Sequence, residues 1–346
     1  MSVTRRTFIA ASGALGASTV FGVPTIVIAA AAKEKLTIAV GSEHALVYLA
    51  WDVAKALGFF DEQGLDVQIT YTKGGTEAGL ALLSGNVDYS GNAIDHAISA
   101  ADQGRSLVMI SDFMDQPGIT IITKPENRGK FTSGASLRGK TIGITSVGSA
   151  TDVIAHWIGH RAGLSNSDIR TVGVGGGATV MAALQNNQVD AALANDPYAT
   201  LLIRQNRAVP IAELYTARAT SEWLGFKNWC FTGALTRADV IAKNPERTQK
   251  VVNALVKALK TMAKSTPEGL ASRLPDEFRG GASVTDWAAA YTHSRPAFTA
   301  YGRVSVDAIN SVIAANAFYL GKSLTAKPGN LFDNSFTDRA NRTIKV

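Results

Sequence analysis

From Leu36 onward, short β-rich runs alternate with helix-length stretches, and this alternation restricts the fold more than any other feature of the chain. Leu36 to Val40, Leu65 to Tyr71, Val87 to Ser90 and Leu107 to Ile110 read as strands, with Leu46 to Leu57, Glu77 to Leu83 and Asp95 to Gln103 as the helices between them. A second round begins with Ile119 to Thr123 and passes through the polar loop Lys124 to Lys140 to a strand at Ile142 to Thr145. A helix from Thr151 to Ala162, a strand at Ile169 to Val174, a helix from Thr179 to Asn186 and a strand at Ala191 to Ala194 follow. Strands separated by helices need crossover connections, so the expected fold class is α/β, with mostly parallel sheet in two tandem units. After the β-like Cys230 to Leu235 the remainder reads mainly as helix, including the amphipathic Pro245 to Lys264 and Val304 to Leu320.

The first residues have a different character. Thr4-Arg5-Arg6-Thr7-Phe8-Ile9 precedes an apolar, small-residue stretch from Ala10 to Ala32 that carries no charged side chain. Paired arginines with Phe8 two positions after Arg6, and small-x-small sites in Ala29 to Ala32, match a twin-arginine export signal, so residues 1–32 are expected to be a signal peptide. Gly13, Gly16, Gly22 and Pro24 interrupt the apolar run, which favours a removed segment over a permanent spanning helix.

The whole chain has 34 basic and 28 acidic side chains; without Arg5 and Arg6 the counts are 32 and 28, a net charge of +4. Both signs are interspersed with no basic stripe, which excludes nucleic acid as the expected partner. Cys230 is the single cysteine, so no intrachain disulfide, cysteine metal cluster or CxxC pair can form. Its expected place is a small buried apolar site.

Three motifs are weighed and set aside. Gly134 to Thr141 matches G-x-x-x-x-G-K-[ST] letter for letter, but a phosphate loop must leave a strand and open a helix, whereas here a polar loop leads into a strand. Gly173 to Ala178 carries too many glycines to specify a dinucleotide turn, and no suitably placed acid follows. His156 and His160 are one helical turn apart, yet Trp157 stands where a metalloprotease has glutamate. No metal site, cofactor or catalytic constellation is expected.

Four ordered phrases carry a family resemblance: Leu57-Gly58-Phe59-Phe60-Asp61-Glu62-Gln63-Gly64-Leu65-Asp66-Val67, Ala81 to Tyr89, Leu137 to Ile144, and Gln188 to Ala192. Over residues 36–235 the chain resembles periplasmic substrate-binding proteins of ABC importers for nitrate, sulfonates, taurine and thiamine-precursor pyrimidines. The resemblance implies a two-lobe periplasmic binding protein fold of type II, each lobe a mostly parallel sheet flanked by helices, with the ligand cleft between lobes. The expected assignment is 36–115 plus 235–346 for the first lobe, the C-terminal helices returning to it, and 116–234 for the second. Pyrimidine-synthesising enzymes share this superfamily fold, but they resemble this chain less because they require a cysteine cluster.

In open α/β sheets ligands lie beyond the carboxyl ends of parallel strands. That rule selects Gly41 to His44, Gly74 to Thr76, and Asn92 with Ala93 in the first unit, and Gly148 to Thr151 and Asn195 to Tyr198 in the second. Small residues and hydroxyls at a helix start suit an anion, although the same residues also serve as an ordinary helix cap. The expected ligand-binding residues are Ser42, His44, Thr76, Asn92, Ser149, Ala150, Thr151, Asp196, Tyr198 and Trp229, the last two as aromatic walls. No arginine lies in these segments, so a sulfonate or carboxylate fits better than phosphate. The expected protein is an exported, non-enzymatic monomer that captures a small organic anion by lobe closure and delivers it to a membrane permease. A pyrimidine or other aromatic nutrient is the alternative ligand, and an enzyme on the same fold is the alternative class.

Overall fold

A computed structural model describes residues 32–346; the twin-arginine and cleavage assignments fall outside the described residues, apart from Ala32. The first round of elements is β1 (Glu34–Val40), α1 (Leu49–Ala56), α2 (Phe59–Glu62), β2 (Leu65–Tyr71), α3 (Gly75–Leu83), β3 (Tyr89–Ala93), α4 (Asp95–Asp102) and β4 (Leu107–Asp112). The second is β5 (Ile119–Thr123), β6 (Thr141–Ile144), α5 (Ala150–Arg161), β7 (Arg170–Gly173), α6 (Thr179–Gln185), β8 (Ala191–Asn195), α7 (Tyr198–Arg204), β9 (Val209–Glu213) and α8 (Ala217–Leu224). The chain then enters β10 (Thr232–Arg237) and continues through α9 (Ala238–Lys243), α10 (Pro245–Lys264), α11 (Pro267–Arg273), α12 (Val284–Ser294), α13 (Val306–Leu320) and α14 (Ser335–Thr343).

Two five-stranded sheets result, ordered β2-β1-β3-β10-β4 and β7-β6-β8-β5-β9. In the first, β1 is parallel to β2 and β3, and β10 runs antiparallel to both neighbours. In the second, β6 is parallel to β7 and β8, and β5 runs antiparallel to β8 and β9. The antiparallel strand in each sheet is the one at which the chain enters from the other half, β5 directly after β4 and β10 after β9 and α8. The two crossings lie side by side: Phe113 N donates to Thr232 O at 2.8 Å, Trp229 N to Asp115 O at 2.8 Å and Gly118 N to Leu214 O at 2.9 Å.

The sequence pattern explains the elements. On β2, Leu65 and Val67 face the core while Asp66 and Gln68 face water, the period of a half-buried strand. On α10, Asn244 caps the first turn by accepting from Arg247 N at 2.9 Å, and Val251, Leu255, Leu259 and Met262 form the buried stripe. One expectation shifts: β3 runs Tyr89–Ala93 rather than Val87 to Ser90, because Ser90, Gly91 and Asn92 lie in a wholly buried central strand whose backbone is paired on both sides. β10 likewise runs Thr232–Arg237, two residues later at each end than the Cys230 to Leu235 run read from the sequence. Among the C-terminal helices, α10 and α14 pack beside α1, α2 and β4, whereas α12 lies on α7 and α13 touches both α4 and α5. The C-terminal segment therefore contacts both halves of the molecule.

Among the described residues no helix is long and apolar enough to cross a membrane. The phosphate-loop look-alike behaves as its context requires: Gly134–Leu137 forms a short 3-10 turn and Thr141 opens β6. His156 Nε2 lies 3.5 Å from Asp152, and the His160 ring stacks on Phe318 at 3.9 Å, so the two histidines have separate packing partners. Cys230 is free and buried, with Sγ 3.6 Å from Met109 Sδ.

Candidate functional site

The carboxyl ends of β1, β3, β6 and β8 meet between the sheets, and there they enclose a cavity of about 20 Å³. Its walls include Ser42 after β1, Asn92 in β3, Thr145, Ser149, Ala150 and Thr151 after β6, and Asn195 at the end of β8. A single water needs roughly 10–15 Å³ of such space, so in this conformation the two halves have closed to within about one water of each other. The two halves touch directly through side chains and backbone. Thr76 Oγ1 lies 3.1 Å from Ser146 Oγ and donates to Val147 O at 3.2 Å, and Leu46 N donates to Asp196 O at 2.7 Å. Gly74 faces the same contact, where an added Cβ would lie 2.8 Å from Ser146 Oγ.

The turn after β6 brings three hydroxyls and two helix-opening amides to the cavity. Ser149 is the N-cap of the twelve-residue α5, and the amides of Ala150 and Thr151 open that helix with no intrahelical partner available to them. Thr145 Oγ1 donates to Ser149 Oγ at 2.8 Å, and Thr151 Oγ1 lies 2.9 Å from both hydroxyls. Three hydroxyls in mutual contact can each turn a proton toward an anion, because hydroxyl rotation costs little once a stronger acceptor is present. Asp152 on the same turn accepts from Gly148 N at 2.9 Å and from Tyr319 Oη at 2.7 Å. Burial alone would raise its carboxyl, but His156, Tyr319 and Gly148 hold it below the usual range, so its charge is satisfied within the protein.

Two polar atoms in the same walls have no partner: Nε2 of His96 and Oδ1 of Asn195. Burial lowers His96 to about 4, which leaves its imidazole neutral at physiological pH. None of the lining residues carries a formal charge under those conditions.

Of the residues expected from the sequence, Ser42, Asn92, Ser149, Ala150 and Thr151 come together around this cavity. Asn92 is internally satisfied, donating from Nδ2 to Gly75 O and accepting from Ala93 N, both at 2.9 Å. Thr76 lies at the contact between the halves, outside the cavity wall. His44 instead faces a more open groove of about 690 Å³ along the edge strand β2, with Tyr71 and Phe278. There burial would lower its pKa, but Asp52, 3.3 Å away, overrides that effect and raises it. Asp196 is fully buried and accepts from Ser294 Oγ at 2.7 Å and Thr200 N at 2.9 Å, with His293 Nδ1 at 3.2 Å. Tyr198 packs near Gly177 and Gly280, and Trp229 is wholly buried at the crossing between sheets. The aromatic walls of the cavity are Tyr48 and Phe231. His96, Thr145 and Phe231 were not singled out from the sequence; carrying the strand-end rule one residue further back and one helical turn further on would have included Thr145 and His96.

The family model NMT1/THI5 like matches residues 42–268, which contain every residue lining the cavity except Gly41. The chain belongs to the NMT1/THI5-like family. A curated relative, a 4-amino-5-hydroxymethyl-2-methylpyrimidine phosphate synthase of Saccharomyces cerevisiae, is 23% identical over 230 residues, 65% of this chain and 66% of the synthase. The match thus falls just short of two thirds of that relative's length. Among solved structures, a protein of Bordetella bronchiseptica RB50 superposes with a TM-score of 0.83 at 28% identity, covering 90% of this chain and 98% of that one. The alkanesulfonate-binding protein SsuA of Xanthomonas axonopodis pv. citri, bound to MOPS, superposes with a TM-score of 0.67 at 20% identity, covering 90% and 99%. This family member therefore has the periplasmic binding protein fold, with two α/β halves around a cleft.

Proposed function

We propose that the chain is an exported, non-enzymatic solute-binding protein of an ABC importer, which captures a small organic anion, sulfonate- or carboxylate-like, between its lobes. The observation that carries this reading is a cavity at the carboxyl ends of parallel strands whose donors are all neutral: three hydroxyls and the first amides of α5. Neutral donors at a helix start stabilise a diffuse single negative charge. A doubly charged phosphate would leave much of its charge unbalanced there. The sulfonate-binding structural neighbour supports the same ligand class. In this reading residues 36–115 with 235–346 form one lobe and 116–234 the other, and closure about the paired crossing segments presents a different surface to a membrane permease. The protein acts as a periplasmic monomer.

A panel of sulfonates, aromatic and aliphatic carboxylates, nitrate, pyrimidines and ATP with magnesium tests the reading by thermal unfolding. A ligand at a hundredfold excess over its Kd adds about 2.7 kcal/mol of stability. At least one organic anion should raise the unfolding temperature reversibly, with no product formed. The relative named as a pyrimidine phosphate synthase favours a second reading, a pyrimidine ligand or an enzyme. Stabilisation by pyrimidines alone would replace the anion, and turnover of any bound compound would replace the binding function.

The export part of the reading rests on Arg5-Arg6 ahead of the apolar Ala10 to Ala32 stretch. Changing both arginines to lysine is expected to leave precursor in the cytoplasm, seen by fractionation and immunoblotting. Undiminished delivery of the double variant would rule out the twin-arginine route.

A further inference from the structure

The cavity has a second pole that the anion reading leaves without a role. His96 lies in the first turn of α4, and its ring fits against Gly75 and Gly79, two glycines one turn apart on α3. A Cβ on Gly75 would lie 2.7 Å from Nε2, and one on Gly79 would lie 3.3 Å from Nδ1, so α3 leaves a slot for the imidazole. The residue as a whole is half-buried, yet its Nε2 is sealed from solvent with no partner. From the other half, Asn195 lines the same cavity, is 3% exposed, and leaves Oδ1 unpartnered. Turning its amide over would exchange one orphan atom for the other. Buried polar atoms without partners are costly, and an apolar side chain at either position would avoid that cost. Two such atoms in one small cavity, one from each half, therefore point to a shared hydrogen-bonding partner. Neither is charged, so a neutral hydroxyl, carbonyl or amide can satisfy both without leaving a charge unbalanced.

Resting on the anion reading above, we propose that His96 and Asn195 are specificity-determining residues and that the ligand is two-headed. Its anionic group meets the Thr145 to Thr151 turn, and a neutral hydroxyl, carbonyl or amide on the same small molecule meets His96 and Asn195. A purely alkyl anion, admitted when the two halves open, leaves both atoms unmatched, and a site built to hydrogen-bond a polar group discriminates against the analogue lacking it.

The probes are 2-hydroxyethanesulfonate and propane-1-sulfonate, nearly equal in size and differing in the terminal hydroxyl. By calorimetric titration the wild-type protein is expected to bind the hydroxylated probe at least about tenfold more tightly. His96→Leu and Asn195→Leu should each reduce that preference, read as the ratio of the two affinities in the same variant. His96→Gln, which keeps a hydrogen-bonding group, should retain part of the preference and serves as the test if His96→Leu fails to fold. Equal binding of both probes by the wild type, or a preference unchanged in the folded variants, overturns the proposal and leaves the anion reading intact. Binding of neither probe, with no organic anion stabilising the protein, overturns both.

Discussion

Replacing Ser149 and Thr151 together by alanine is expected to weaken binding of the best organic anion by about 10²- to 10⁴-fold, the largest loss of affinity from any pair of substitutions in the cavity. Each hydroxyl bonded to a charged group contributes about 1.5–3 kcal/mol, and about 1.4 kcal/mol is tenfold in affinity. The loss is of this size because the site has no arginine or lysine that can compensate. Thr151 also has a structural duty, since its Oγ1 accepts from Thr145 N at 2.9 Å. The double variant should therefore lose about 1 kcal/mol of stability as well. Thr151→Ser, which keeps the oxygen, separates the two effects and should bind nearly as the wild type does. Calorimetric titration gives affinity, and urea unfolding gives stability. A folded double variant that binds as tightly as the wild type would refute the assigned site.

The regular elements were legible because their periodicity is local. β2 and α10 have the bounds read from the sequence, since the alternation of Leu65 and Val67 and the stripe from Val251 to Met262 repeat with the period of their own secondary structure. β3 was displaced because it runs on through Gly91 and Asn92 to Ala93, residues whose small size and polarity suggest a loop but whose backbone is paired within the sheet. The strand-end rule found Ser42, Asn92 and the Ser149 to Thr151 turn, because a loop's place after a parallel strand fixes which end of the sheet it occupies. It cannot fix where a side chain on that loop points. His44 turns to the outer groove and Asp52, Asp196 turns inward to the C-terminal helices, and Trp229 fills core at the crossing. Each of these depends on a partner far away in sequence, and no local pattern records it.

The His293 link between α12 and the second sheet sets the remaining expectation, a pH-dependent loss of stability. Its Nδ1 lies 3.2 Å from Asp196 Oδ2, at the end of β8, and its Nε2 lies 2.9 Å from Glu213 Oε1, at the end of β9. Burial by itself would lower the imidazole pKa, but the two carboxylates outweigh it and raise it to about 9. A histidine so raised adds stability in full below its ordinary value of about 6.5, and the contribution disappears as pH rises through about 9, because the folded form holds a proton that the unfolded chain has released. Asp196 and Glu213, held below the ordinary carboxylate range, act in the opposite sense: their contribution is present above that range and is lost on acidification. The linkage is therefore strongest from about pH 5 to 6.5. His293→Gln removes the cation and leaves the buried Asp196 carboxylate with Ser294 Oγ and Thr200 N as partners. Breaking a buried pair from one side costs about 3–5 kcal/mol when nothing replaces the lost partner. With those two donors still in place, a loss of about 2–3 kcal/mol at pH 6 is expected. Urea unfolding at pH 6, 7.5 and 9 should show the wild type losing stability across the series while the variant stays nearly level. Parallel curves for the two proteins would mean that His293 does not carry the charge that ties α12 to β8 and β9.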